Sequence, residues 1–330
     1  MPAGGLSKFR RCAAFAVMSA FALLAPPQAS ARMRELMPPQ FSRPPAPPVE
    51  TGAPDAAFVP LAPMPAAPSE QSVPMVPAGH VALALSARYG RDAPAIGGGL
   101  IWRVYAAKPD PTGAFRLIRE DKAAAPTFVL PPGNYIVDAA FGLASAAKAV
   151  QLRGETVREV FDIPAGGIRL EGRVGDARIP SGQISFDIFT GSQFDTTERP
   201  PIAQNVTTGD VVLLPEGTYY FVSSYGDGNS VVRSDVRVQA GKLTDIVVTH
   251  RAAVITLKLV NEPGAEALAD TQWTVLTPGG DVIKESIGAF PRVVLAEGDY
   301  HVIARNEGKT YQRDFKVITG VDGEVQVLAR

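Results

Sequence analysis

With 330 residues the chain is long enough for two or three domains, and 32 Lys plus Arg against 33 Asp plus Glu leave a net charge of -1. That balance argues against a nucleic-acid partner, which asks for a basic surface. A single cysteine, Cys12, excludes a disulfide framework.

The chain opens like a signal peptide. Lys8, Arg10 and Arg11 precede an apolar run from Ala13 to Ala25, and Ala29-Ser30-Ala31 offers a processing site after Ala31 or Ala29. The run is shorter than the roughly 20 residues that span a bilayer as a helix. A retained anchor is the alternative. Cys12 follows Phe9-Arg10-Arg11, unlike the small and aliphatic residues before a lipoprotein acylation site. Removal of residues 1–31 leaves 29 Lys plus Arg against 33 Asp plus Glu and no cysteine. Stability must then come from cores and sheet pairing, which suits bacterial export.

Pro38 to Pro77 holds 13 prolines and four charged residues. Proline has no backbone donor and a locked φ, so residues 32–78 are expected to be a disordered, extended spacer without ladder or helix. Fully extended, Pro38 to Pro77 would reach ~120 Å at about 3.1 Å per residue.

Beyond it, one pattern occurs three times. Val129-Leu130-Pro131-Pro132-Gly133-Asn134-Tyr135, Leu213-Leu214-Pro215-Glu216-Gly217-Thr218-Tyr219 and Val294-Leu295-Ala296-Glu297-Gly298-Asp299-Tyr300 have glycines 84 and 81 residues apart. Alternating strands begin at Val81, Ile168 and Ile255, 87 residues apart each time. Gly90, Gly175 and Gly264 mark the turn after each. A second strand then places Trp102 and Val104, or Ile184, Phe186 and Ile188, or Trp273 and Val275 on one face. These bulky residues predict a core between two sheets.

The tyrosine strand follows a variable middle: Ala106–Pro126, Gly191–Thr208 or Pro278–Pro291. Tyr135, Val137 and Ala139 share a face, as do Tyr219, Phe221 and Ser223, and Tyr300, Val302 and Ala304. A tyrosine here packs its ring inward while its hydroxyl reaches backbone at the sandwich edge. Gly142, Gly226 and Gly308 predict hairpins, and Gly154, Gly241 and Gly320 separate a last pair of strands. The fold class is all-β, with five to seven antiparallel strands per unit. Expected boundaries are a signal peptide 1–31, a linker 32–78, and β-sandwiches 79–165, 166–252 and 253–330.

The pattern resembles carboxypeptidase-regulatory-like, or prealbumin-like, Ig-type sandwiches. It shares a strand with a Gly-Pro turn (Ala177-Arg178-Ile179-Pro180-Ser181-Gly182), the Leu-Pro-x-Gly-x-Tyr motif, and a strand-turn-strand around a glycine. The likeness covers residues 80–330, with Gly97-Gly98-Gly99 and Ala296 as departures. It implies accessory, adhesive or carbohydrate-binding modules, usually without catalysis.

No catalytic signature emerges. His80, His250 and His301 are expected to be surface histidines, with no H-x-x-x-H or H-E-x-x-H spacing for a metal and no G-x-S-x-G elbow. Gly226-Asp227-Gly228-Asn229-Ser230 offers too few oxygens for calcium and is expected to be a hairpin turn. Gly97-Gly98-Gly99 lacks the Lys-Ser/Thr of a phosphate loop. Neither cofactor nor metal is expected. The best ligand surface is the middle loop of the second unit, with Phe194, Asp195 and Arg199, plus Tyr220 and Tyr225.

Three functions remain open. The leading one is a non-catalytic exported structural or interaction protein, periplasmic, secreted or envelope-associated, whose partner is an envelope protein or a cell-wall or surface glycan. A carbohydrate- or peptidoglycan-binding module predicts exposed, coplanar aromatics. An enzyme or hydrolase accessory would need carboxylates such as Asp195 and Glu198 gathered in a cleft.

Overall fold

The structure, a computed structural model, describes residues 75–195 and 199–330 and the backbone of one strand, Asp55–Pro60 (β1). All of them belong to one compact unit, Pro44–Arg330. The expected signal peptide and the rest of the linker lie outside the described residues, as does Glu198.

The chain is all-β and built from several small sheets. The first pair of sheets comprises β2 (Val81–Arg88), β3 (Leu100–Ala106), β4 (Leu117–Asp121), β5 (Thr127–Leu130), β6 (Gly133–Phe141), β7 (Ala144–Leu152) and β8 (Val157–Asp162). The second comprises β9 (Ala165–Val174), β10 (Ala177–Arg178), β11 (Ile184–Thr190), β12 (Ala203–Val206), β13 (Val211–Pro215), β14 (Gly217–Tyr225), β15 (Ser230–Val238) and β16 (Lys242–Thr249). The third comprises β17 (Ala252–Val260), β18 (Gln272–Leu276), β19 (Val282–Ile287), β20 (Arg292–Ala296), β21 (Gly298–Asn306), β22 (Lys309–Val317) and β23 (Gly323–Leu328).

The first and third pairs set a four-stranded sheet against a three-stranded one, and the second sets a four-stranded sheet against a five-stranded one that includes β1. The orders are β4-β3-β6-β7 over β5-β2-β8, then β12-β11-β14-β15 over β1-β16-β9-β10 with β13 also on β9, then β19-β18-β21-β22 over β20-β17-β23. Alternation makes this economical in strands such as β3, β6, β11 and β14, whose buried residues fall at every second position. Three hydrophobic clusters result. The first gathers Trp102, Val137 and Phe161, the second Phe186, Phe221 and Ile246, and the third Trp273, Val302 and Val327.

Trp102 and Trp273 are fully buried, and each indole N–H donates to a carbonyl, of Ala123 (3.0 Å) and Gly288 (2.9 Å). The three repeated tyrosines do what their position suggests. Tyr135, Tyr219 and Tyr300 donate their hydroxyls to the carbonyls of Pro131 (2.9 Å), Pro215 (2.9 Å) and Ala296 (2.8 Å), four residues upstream. Each ring seals the core while its polar tip is satisfied at the turn.

Two expectations are corrected. The closing strands are parallel to the opening ones, β8 on β2, β16 on β9 and β23 on β17. The turns at Gly154, Gly241 and Gly320 do not fold hairpins. They carry the chain from one sheet to the other, so the closing strand returns in the direction of the opening one. The second correction concerns the proline-rich segment, where β1 pairs antiparallel with the edge of β16. Asp55 to Val59 is free of proline, so its N–H groups can join a ladder there. The variable middles also contribute strands, with β4, β12 and β19 edging the four-stranded sheets.

Candidate functional site

The middle loop of the second sheet pair is built around Asp235 on β15. Its carboxylate accepts from the Ser192 hydroxyl (2.6 Å) and the Gln193 N–H (2.8 Å). Asp195 accepts from the Ser192 N–H (3.1 Å), and Arg199 reaches the Thr190 carbonyl (3.3 Å) and sits 4.0 Å from Asp195. This frame holds Phe194 out in solvent, 82% exposed. Tyr220 lies across from Asp235 in the β14–β15 ladder and across from Phe189 in the β11–β14 ladder. The Tyr220 and Phe189 rings are half-buried and stack in parallel, 4.7 Å apart and 5° from coplanar.

Phe194, Asp195, Arg199 and Tyr220 therefore cluster around one loop and one sheet face. Tyr225 does not. It is five residues from Tyr220 on the same strand, an odd step that turns it to the opposite face, where it is buried at 7% exposure. The inward register of Tyr219, Phe221 and Ser223 carried the signal that would have placed it.

The histidines differ sharply from one another. His80 is exposed, and His301 pairs with Asp314 at 2.6 Å on the outer face of β21, beside an open cleft of about 590 Å³. His250, expected at the surface, has 0% exposure. Its Nε2 lies 2.8 Å from Ser223 Oγ and its Nδ1 2.8 Å from Ser230 Oγ. Tyr225 packs edge-on against the ring at 5.8 Å. A neutral imidazole has one N–H and one lone pair, so one serine accepts and the other donates. Burial lowers the pKa of the ring to about 4. Serines occupy both ring nitrogens, so the ring lacks the carboxylate that orients the histidine base of a serine hydrolase. Among the described residues no cluster of three or more His, Cys, Asp or Glu is placed to hold a metal.

His250 lies in the connector between the second and third sheet pairs, with its ring held by β14 and β15 of the second. The Gly226–Ser230 turn is a hairpin, as expected, and it is also the second pair's docking element. Asn229 Nδ2 donates to the Tyr300 hydroxyl (2.9 Å) and Asn229 Oδ1 accepts from the Ala296 N–H (2.9 Å). Tyr300 in turn donates to the Ala296 carbonyl, closing a buried ring of three hydrogen bonds. This accounts for the one departure from the Leu-Pro motif, since a proline at 296 would have no N–H to give. Asp227 adds an ion pair to Lys284 at 2.6 Å. Gly226 and Gly228 sit directly on Val294, where a Cβ on Gly228 would fall 1.9 Å from the Val294 carbonyl oxygen.

Comparison with known proteins adds one family match. Residues 254–329, the span of the third core, match the model of a Rhizobiales growth-associated tandem repeat domain. That is a different description from the carboxypeptidase-regulatory-like one suggested by the motifs. No curated protein matches the chain. Among solved structures, a Streptococcal ancillary pilin aligns over 76% of this chain and 99% of its own, at 13% identity and a TM-score of 0.29. GBS52, the minor pilin of Streptococcus agalactiae, aligns over 51% and 94%, at 16% and 0.26. The Bacillus anthracis TIE protein aligns over 76% at 13% and 0.23, and the chain spans about half of its length (51%). With TM-scores this low, none of these likenesses carries an argument about function.

Proposed function

We propose that the chain is a non-catalytic, exported structural or interaction protein that displays tandem β-sandwich domains (79–165, 166–252 and 253–330) at the cell envelope. A signal peptide (1–31) would direct export, and a proline-rich linker (32–78) would precede the domains. The observation that carries this reading is the docking of each sheet pair on the next through a buried contact, which makes a stiff support for the loops along it. The description of the matching repeat as growth-associated fits a role at an expanding envelope. Partners would be an envelope protein or a cell-wall or surface glycan.

A second reading has a specific observation in its favour. Exposed Phe194 beside the stacked Phe189–Tyr220 pair is the kind of aromatic surface on which sugar rings stack, which supports a carbohydrate- or peptidoglycan-binding module. One experiment separates the two: the full chain, affinity-tagged, is recovered from its native envelope after crosslinking and is also applied to a polysaccharide array. A protein partner retained by wild type and lost in Phe194→Ala supports the first reading, and array binding lost in the same variant supports the second. Recovery in the cytoplasmic fraction would overturn both.

A further inference from the structure

The two contacts between successive sheet pairs follow one backbone plan. In the connector before each new pair, the N–H of Ile163 donates to the Arg88 carbonyl (2.9 Å) and that of His250 to the Arg173 carbonyl (2.7 Å). One residue further, the carbonyls of Pro164 and Arg251 accept from Glu216 (2.7 Å) and Glu297 (2.8 Å). Ile163 and His250, 87 residues apart, are thus the same position in two junctions. Ala139 and Ala144, both buried, belong to the same hydrophobic cluster as Ile163. The ladder places Ser223 and Ser230 at the corresponding positions of β14 and β15. The second junction has exchanged an isoleucine and two alanines for a histidine and two serines.

We propose that this exchange makes the second junction an acid-opened hinge with His250 as its sensor, while the first junction is indifferent to acid. The groups bonded to the ring or packed on it are uncharged at neutral pH: Ser223 and Tyr225 from β14, and Ser230 from β15. Of the nearby charges, Arg292 and Asp322 on the third sheet pair act on Tyr225. Arg173 on β9 pairs with Glu171, and Arg251 in the connector pairs with Glu297. No carboxylate stands against the imidazole to hold a second proton. An imidazolium in the closed junction is therefore desolvated without compensation, and opening the junction hydrates it.

The sign follows from the proton balance. The open state takes up a proton near the ordinary value of 6.5 and the closed state only near 4. Acidification between those values therefore favours opening, by about tenfold per pH unit. Below 4 both states are protonated and the effect levels off.

The first junction supplies an internal control. Hydrogen exchange of the full chain, divided by the intrinsic rate at each pH from 7.5 to 4, reads the Ala296 and Glu297 N–H groups against Leu143 and Glu216. The expected result is an opening constant that rises about tenfold per unit below pH 6.5 at the second junction and stays flat at the first. The triple variant His250→Ile, Ser223→Ala, Ser230→Ala, which copies the first junction, should be flat at both. His250→Gln, which keeps polarity without titrating, should be flat as well and serves if the triple variant fails to fold. Equal acid slopes at both junctions, a slope that survives in His250→Gln, or a His250 ring that titrates near 6.5 by NMR while Ala296 stays protected would each overturn the proposal.

Discussion

The two junctions show how one backbone arrangement accepts two chemistries. At the first, a tight turn at Gly142 packs on Leu213, the Leu143 N–H donates to the Leu213 carbonyl (3.0 Å), and the buried connector residue is Ile163. At the second, a longer turn packs on Val294 at the matching motif position, and the buried groups are His250, Ser223, Ser230 and Asn229. The apolar version adds only backbone hydrogen bonds to its side-chain burial and tolerates small repacking. The polar version depends on every hydrogen bond being made, because a buried group that loses its partner bears its full desolvation cost. Two neighbouring contacts in one chain should therefore fail in different ways.

The largest expected effect comes from Gly228→Val. A side chain there meets the backbone of Val294, which cannot move aside as a flexible side chain could. The third sheet pair should undock, and calorimetry should show one cooperative transition become two. Acid comes next. The depressed value of His250 means that the unfolded chain binds the extra proton first. Stability is then whole above about pH 6.5 and falls as the pH drops toward 4. The loss should be about 3 kcal/mol in urea titrations, and absent in His250→Gln.

Smaller effects sharpen the contrast. Ala296→Pro restores the motif of the other two copies, yet should destabilise by about 1–3 kcal/mol because Asn229 Oδ1 loses its donor. Asn229→Ala should cost a similar amount, and the two changes should be strongly non-additive in a double-mutant cycle since they break the same bond. Lys284→Ala removes only a partly exposed ion pair and should cost less than about 1 kcal/mol, with the effect shrinking further in salt.

Much of the fold was legible before any coordinates. The 87-residue spacing of the opening strands, the inward tryptophans and the tyrosine turns all rest on local alternation, and local alternation survives into the structure. The candidate loop was legible in part. Phe194, Asp195, Arg199 and Tyr220 do share a surface, because three of them lie on one loop and Asp235 ties that loop to the strand beside Tyr220. Tyr225 was misplaced although the period of two already put it with Tyr219.

His250 could not be placed in the same way. Its sequence neighbours, Thr249 and Arg251, are exposed, and nothing adjacent to it announces burial. Its ring partners, Ser223 and Tyr225 of β14 and Ser230 at the start of β15, lie 20 or more residues upstream and are brought to the connector only by the fold. The parallel closing strands were hidden for the same reason, since a turn glycine looks alike whether the chain reverses within a sheet or crosses to its partner.

By itself the sequence determined the all-β class, the threefold recurrence and the identity of the core residues, because these depend on side-chain period and on turns only a few residues long. The tertiary structure alone decided which polar groups meet in the dark between two sheet pairs. That choice depends on how separate elements dock, and the desolvation that gives His250 its character exists only once they have docked.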